Sequence, residues 1–331
     1  MAKAEFSMLD VRASGLTVNE MTRPGGDFRN NSTLLEDEWT TMDSIVVRVA
    51  KDKLRLAGDL QAAGMTRSID GMAQSELTWQ RNTDSQEAGM DMDPRVKTAD
   101  DRPTYDKVGI PLPFIHSDFS VSERDLTESR RGGFALDTEK LANATRKVSE
   151  KVEDVLLDGG DLTSGFKAGS YTLQGFLNHD DTNDVSLNGA AWSTATSANM
   201  LLDVQDCIQS MIDNKQDGPY RLYIPSEWQI SLGKDYTSGY AKTRIARLLE
   251  LPQLQDIVVL PRLSGIVTDT ALMLNMKSDV AQLLDGFPMQ VLQWETEKFT
   301  THYKVLTMML PRIFSDTDMV NLALLKIVGG R

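Results

Sequence analysis

The stretch from Ile110 to Gly160, IPLPFIHSDFSVSERDLTESRRGGFALDTEKLANATRKVSEKVEDVLLDGG, narrows the folds open to this chain more than any other. Val108, Ile110, Leu112 and Phe114 alternate along an extended run, with Pro111 and Pro113 both on the other parity. Prolines so placed remove backbone donors from one edge of a strand, which is tolerable only where that edge needs no ladder partner. A polar turn rich in Arg, Asp and Glu comes next, and then a single helix. Asp137 or Thr138 caps the helix, Glu139 complements its N-terminal dipole, and Gly159-Gly160 ends it. Leu141, Ala144, Val148, Val152, Val155 and Leu156 recur at spacings of three and four, with Lys, Arg and Glu on the opposite face. At a rise of ~1.5 Å per residue the helix is ~30 Å long. That order suits a building block with a helical spine and an extended arm that reaches elsewhere.

Around this segment the chain changes character several times. Residues 1–31 are polar, carry Pro24-Gly25-Gly26, and show no periodicity; they read as an arm ordered only when something holds it. Thr33 and Glu36 form a capping-box pattern that opens a helix running to Gly64. Its apolar residues follow two heptad tracks, Leu35, Met42, Val49, Leu56 and Ala63 on one, Trp39, Val46 and Leu60 on the other. A coiled-coil seam is one reading. Ile45 and Leu54 widen the stripe beyond a strict seam, so an amphipathic helix lying on its own protein is the preferred one. Residues 65–107 hold nine acidic and six basic residues and little apolar content, so they cannot build a core alone. They are either disordered or a long β-hairpin arm. From Tyr171 onward short strands and helices alternate, with helices near Ser197 and from about Tyr240 to Leu249, and apolar strands at Asp256–Leu260 and Thr270–Met276. This half reads as a compact α/β domain with a central sheet. Strand-like runs return at Phe287–Trp294, Phe299–Leu310 and Met319–Val328.

Composition excludes several functions. The net charge of −13 and pI near 4.8 argue against a surface that coats phosphates. No run of apolar residues is long enough for a transmembrane helix, and residues 1–15 lack a signal-peptide pattern. Cys207 is the lone cysteine, which fits a reducing compartment. Most of the methionines in apolar runs (Met200, Met211, Met273, Met276, Met308, Met309) read as core gap-fillers.

The fragments that suggest chemistry fail on inspection. In Gly160–Lys167, GDLTSGFK approaches a phosphate-binding loop, but Phe166 stands where the lysine must be and a helix, not a strand, precedes it. Ser164 and Lys167 match a four-residue lactamase pattern without its partner motifs. Asn178, His179, Asp180, Asp181 and Asp184 offer metal donors at a spacing that matches no EF-hand or zinc site, and read as a solvated turn. Asp91 and Asp93 read the same way. His116, His179 and His302 lie in separate segments, and no nucleophile, base and orienting group can be assembled. No catalytic, cofactor or metal site is expected.

The Ile110–Gly160 segment resembles the shared motif of tailed-bacteriophage major capsid proteins, in their encapsulin-like branch. In that family a β-strand leads through an acidic-basic turn, here Asp118-Phe119 to Arg124-Asp125, into the spine helix. YTLQGFLN (171–178) is similar to the family's passage after that helix, where a short apolar–glycine–leucine–asparagine run recurs. The resemblance implies an α+β, Hong Kong 97-type capsid fold. Residues 1–31 would be the N-terminal arm, 32–64 the N-terminal helix, and 65–112 an extended β-hairpin loop overlapping a neighbouring subunit. Residues 113–185 would be the peripheral domain with its spine helix at 137–158. An α/β axial domain would span 186–285, and the C-terminal strands 286–331 would return to the peripheral domain.

For function, the resemblance implies a structural protein that assembles through pentamers and hexamers into an icosahedral virion shell. The shell would enclose double-stranded DNA without sequence-specific binding, form in the host bacterial cytoplasm, involve no membrane, and admit scaffold, portal and decoration proteins as partners. An encapsulin shell holding a cargo enzyme is the alternative, and a soluble α/β enzyme a third that leaves the arms unexplained. With −13 per subunit, opposite charges must meet at subunit contacts. The loop's Arg81, Arg95, Lys97 and Arg102 are therefore set against Glu123, Glu128, Glu150 and Glu153, with Trp79 as an apolar contact. Some family members cross-link a loop lysine to a neighbour's asparagine; Lys97 and Lys107 lie in the right segment, but no local motif licenses that role.

Overall fold

The computed structural model describes residues 36–82, 90, 92, 105–132, 138–162, 171–180, 182–189, 191–237, 242–266, 270–297, 300–314 and 324–328. The arm at 1–31 and the Thr33 half of the capping box lie outside them. In place of one helix to Gly64 there are two, α1 (Glu36–Lys53) and α2 (Arg55–Ala62). The second has its own N-terminal partner: the Glu153 carboxylate accepts from the amides of Leu56 (3.0 Å) and Ala57 (3.4 Å). Freed amides satisfied in this way let a helix stop and restart. At the far end Gly64, at φ 71°, closes α2. Its amide reaches back to the Gln61 carbonyl, and Met65 reaches that of Leu60. This double return requires a left-handed residue, hence glycine.

Strands β1 (Thr66–Ser68), β2 (Glu76–Asn82), β3 (Tyr105–Pro111) and β4 (Ile115–Ser122) come next. β2 and β3 pair antiparallel from Glu76↔Pro111 to Asn82↔Tyr105, so the paired part of the polar segment is a hairpin. The extended run at Ile110 is two strands, interrupted at Leu112–Phe114, rather than one. The polar turn beyond it is α3 (Glu123–Gly132). Ser122 Oγ accepts from the Arg124 amide (3.3 Å), Glu123 and Asp125 lie in the first turn, and Arg124 pairs with Glu128 one turn on. Local capping and an i,i+4 pair make a helix where apolar periodicity is too sparse to announce one.

The spine helix is α4 (Glu139–Leu157), with Leu141, Ala144, Val148, Val152, Val155 and Leu156 all buried as the spacing predicts. Ser149 is buried in the same face and donates its hydroxyl to the Thr145 carbonyl (2.8 Å). Beyond it come β5 (Gly159–Leu162), β6 (Tyr171–Gln174), β7 (Asn183–Ser186), α5 (Ser197–Asp213), β8 (Tyr220–Ile224), α6 (Ser226–Leu232), α7 (Arg244–Leu248), β9 (Leu254–Val259), α8 (Leu263–Ile266) and β10 (Thr270–Asn275). The helix expected from Tyr240 is thus a single turn. Its Thr243 cap accepts from the Ala246 amide. Long strands β11 (Ala281–Glu297) and β12 (Thr300–Ile313) and a short β13 (Leu324–Val328) complete the order.

The chain divides into two units, each discontinuous in sequence. The first takes Met1–Leu54, Phe114–Lys151 and Phe287–Met308. In it β12 runs antiparallel to β4, from Thr300↔Ser122 to Thr307↔Ile115. Met42, Ile45 and Val46 of α1 are buried, and Trp39 meets the Tyr303 ring edge-on at 6.2 Å while Phe119 stacks on that ring at 5.2 Å. Burial of Ile45 beside Met42 and Val46 is the wide stripe of a helix lying on its own protein, not a narrow seam.

The second unit takes Arg55–Pro113, Val152–Gly286 and Met309–Arg331. Its centre is a five-stranded sheet in the order β7-β13-β10-β8-β9. β10 is antiparallel to β13 and β8, whereas β7 with β13 and β8 with β9 are parallel. The C-terminal runs therefore do not stay together: β11 and β12 pair with each other, while Leu324–Val328 joins β7 and β10. Met200, Val204, Cys207 and Met211 of α5 pack in this core, where Trp192 stacks on Trp228 at 5.0 Å. Asp203 is buried with them and accepts from Trp192 Nε1 and the Asn188 amide, each at 2.7 Å. Cys207 is fully buried; burial first, then Asp203 and Asp206, push its thiol up and keep it unreactive.

The YTLQGFLN run docks on the end of the spine helix. Phe176 and Leu177 donate their amides to the carbonyls of Leu156 and Leu157, each at 2.8 Å, and Asn178 donates to the Asp158 carbonyl and carboxylate. Gly175 makes this possible. A Cβ there would stand 2.5 Å from the Leu157 carbonyl oxygen and from the Gly159 nitrogen.

Candidate assembly surface

Of the nine residues singled out for subunit contacts, Trp79 and Arg81 lie on β2 of the hairpin. Both are half-buried, opposite Val108 and Asp106 of β3. The hairpin's base is anchored from two sides. Tyr171 Oη donates to the Gly109 carbonyl (3.1 Å), and the Arg312 guanidinium lies 4.6 Å from the Trp79 ring centre and 4.2 Å from that of Phe314. At this distance a cation–π attraction holds the guanidinium over the indole. Arg312 is only 5% exposed, and its Nε and Nη1 have no hydrogen-bond partner among the described residues. Burial, with Arg67 adding to it, pushes this arginine down to about 10, so it remains charged at neutral pH.

Trp79, Arg81, Tyr171, Gln174, His179 and Arg312 line a cavity of about 70 Å³ at this base. It has room for a few waters or one small side-chain group, far below the several hundred cubic ångströms that a substrate pocket needs. Among the described residues no group of three or more His, Cys, Asp and Glu could hold a metal ion, and no helix is long and apolar enough to cross a membrane.

The acidic candidates divide into three kinds. Glu128 is exposed and pairs with Arg124 at 2.9 Å, and Glu150 pairs with Arg146 and Lys147, each at 3.5 Å. Glu123 opens α3 half-buried, with Oε2 unpartnered among the described residues. Glu153 does not belong in the set. It is 3% exposed, and its carboxylate is spent on the N-terminus of α2. Burial raises it to about 7 against the two amide bonds that lower it; Asp59 and Asp154 add to the rise. Arg95, Lys97 and Arg102 lie outside the described residues, and Lys107 sits exposed on β3. Sequence reasoning missed Arg312. The available signal was a lone charge inside the apolar run Leu306–Phe314.

Residues 30–322 match a family described as a family of unknown function, DUF6260. The chain belongs to the DUF6260 family. No curated protein matches its sequence. Solved structures resemble this DUF6260 chain over most of its length. A virus-like particle from Pyrococcus furiosus aligns with TM-score 0.58 at 14% identity, covering 88% of this chain and 99% of the other. The capsid of Myoviridae phage XM1 aligns with TM-score 0.60 at 14% identity, covering 81% and 90%. The capsid of a native GTA particle aligns with TM-score 0.56 at 13% identity, covering 81% and 89%. The DUF6260 chain therefore has the α+β phage major capsid fold that the Ile110–Gly160 segment and YTLQGFLN suggest.

Proposed function

We propose that the chain is a shell subunit, the major capsid protein of a tailed bacteriophage, and that many copies assemble through pentamers and hexamers around double-stranded DNA. The observation that carries this reading is coverage: the capsid fold spans 81–88% of this chain and 89–99% of the shell proteins it resembles, leaving little of either for another task. Fold likeness alone is a warrant by analogy, and physical features support it independently. A hairpin whose base is anchored and whose outer strand positions are exposed has surface to offer a neighbour. A net charge of −13 suits a wall that contains DNA rather than one that grips it. On this reading the unit built on the five-stranded sheet supplies the axial domain, α4 is the spine, and the work is structural rather than catalytic. The virion is its place, with scaffold, portal and decoration proteins as partners in assembly. The likeness to a virus-like particle supports the second reading, a cellular shell around a cargo enzyme.

One preparation separates these readings. Expressed chain, fractionated by sedimentation and viewed by electron microscopy, is expected to yield closed particles, and nuclease-protected DNA inside native particles identifies a virion. Particles that hold a co-purifying enzyme favour the cellular shell. A folded monomer at every concentration and salt, with scaffold supplied, overturns both.

A further inference from the structure

A buried arginine with two guanidinium nitrogens unmatched among the described residues asks for a partner. In the hairpin-base cavity Arg312 is 5% exposed, its guanidinium lies against the Trp79 and Phe314 rings, and Nε and Nη1 donate to no group among the described residues. A charge taken out of water is tolerated only when paired and hydrogen-bonded, so an isolated subunit carries a desolvation cost with no return. The surroundings add positive charge. Arg81 lines the same cavity, and Arg67 is near enough to weaken Arg312's hold on its proton. No carboxylate among the described residues forms an ion pair with Arg312. Glu76 lies against Gly109 on the same hairpin, and the Tyr171 hydroxyl is already committed to the Gly109 carbonyl.

We propose that this cavity is a carboxylate-binding site, filled on assembly by an aspartate or glutamate side chain from a second copy of the chain. Arg312 lines the cavity with its guanidinium against two rings, and a guanidinium fork matches a planar two-oxygen acceptor. A cavity of about 70 Å³ admits the end of one acidic side chain and excludes a nucleotide. The second copy is the source because the chain carries 48 Asp and Glu against 35 Lys and Arg, so a neighbouring subunit is rich in the required group. This assignment rests on the shell reading. It gives assembly a specific reward: the neighbour's carboxylate relieves a cost built into the free subunit and locks the hairpin base that Trp79 and Arg312 share.

The test compares wild type with Arg312→Gln and Arg312→Lys at equal ionic strength. Circular dichroism reads folding, sedimentation reads the threshold concentration for particles, and a high-resolution map of the wild-type shell reads the cavity itself. The glutamine variant is expected to raise the threshold at least about tenfold, the effect of losing one charged hydrogen bond per contact. The lysine variant, which keeps the charge but not the fork, should fall between. In the map a neighbour's carboxylate is expected within hydrogen-bond distance of Arg312. An unchanged threshold, or a map in which only water or the subunit's own atoms reach Arg312, overturns the proposal and leaves the shell reading standing. Wild type that forms no particles overturns both. Should Arg312→Gln fail to fold, the wild-type map decides.

Discussion

At the scale of single residues, Glu153 joins helix architecture to pH. Its carboxyl is raised to about 7 by burial, so the folded state binds the proton more tightly than the unfolded chain does. The stability it contributes is therefore full below the unfolded value near 4.5, and is lost progressively as pH rises to about 7. At ~1.4 kcal/mol per unit the loss is on the order of 3 kcal/mol. Glu153→Gln keeps an oxygen to accept from Leu56 and Ala57 and removes the titration. Thermal melts of wild type and variant between about pH 4.5 and 8 should diverge, with wild type losing stability toward the alkaline end and the variant holding nearly level. Parallel curves would show that the proton on Glu153 does not govern the α1–α2 break.

At the scale of elements, the dock between the YTLQGFLN run and the end of α4 depends on Gly175. Gly175→Ala sets a methyl against the Leu157 carbonyl, where backbone must move, and should cost on the order of 3 kcal/mol in denaturant unfolding. Gly58→Ala is the contrast. It lies within α2 with nothing within 4 Å of a new Cβ, so it should stabilise by roughly 0.5–1 kcal/mol. The same elements explain what the sequence reveals by itself. α4 is legible because six apolar residues repeat at helical spacing between a cap and a glycine pair, and each is buried. α3 is not, because ERDLTESRRG has almost no apolar periodicity and owes its helix to Ser122 and an ion pair. The break at Leu54 is invisible locally, since the carboxylate that caps α2 lies ninety-seven residues beyond the Leu56 amide it meets. Glu153 looks like surface charge for the same reason: an acidic residue next to a buried valine gives no local sign of a partner so far along the chain.

At the scale of the whole molecule, the shell reading requires charge to be arranged across copies. Loop cations remain candidates to meet Glu123, Glu128 and Glu150, but the last two already have partners on their own helices. Any pair across subunits exchanges with these, and each is worth at most about 1 kcal/mol. Repetition over a shell makes the sum matter. Replacing Arg81, Arg95, Lys97 and Arg102 together by glutamine should slow assembly followed by light scattering, most strongly at low salt where attraction is least screened. Assembly at the wild-type rate in low salt would leave positioning of the hairpin to Trp79 and the Arg312 cavity.

The place of β13 bears on how the subunit comes into being. β10 needs Leu324–Val328 on one side, yet the chain leaves that sheet after Asn275, lays down β11 and β12, and only then returns. Until it does, the β10 edge that pairs with β13 is bare. Contacts this distant in sequence form slowly, and an open apolar strand edge is a template for the wrong neighbour. A newly made chain is thus prone to clump with its siblings until β13 takes its place, and on the shell reading only then can it join them in order.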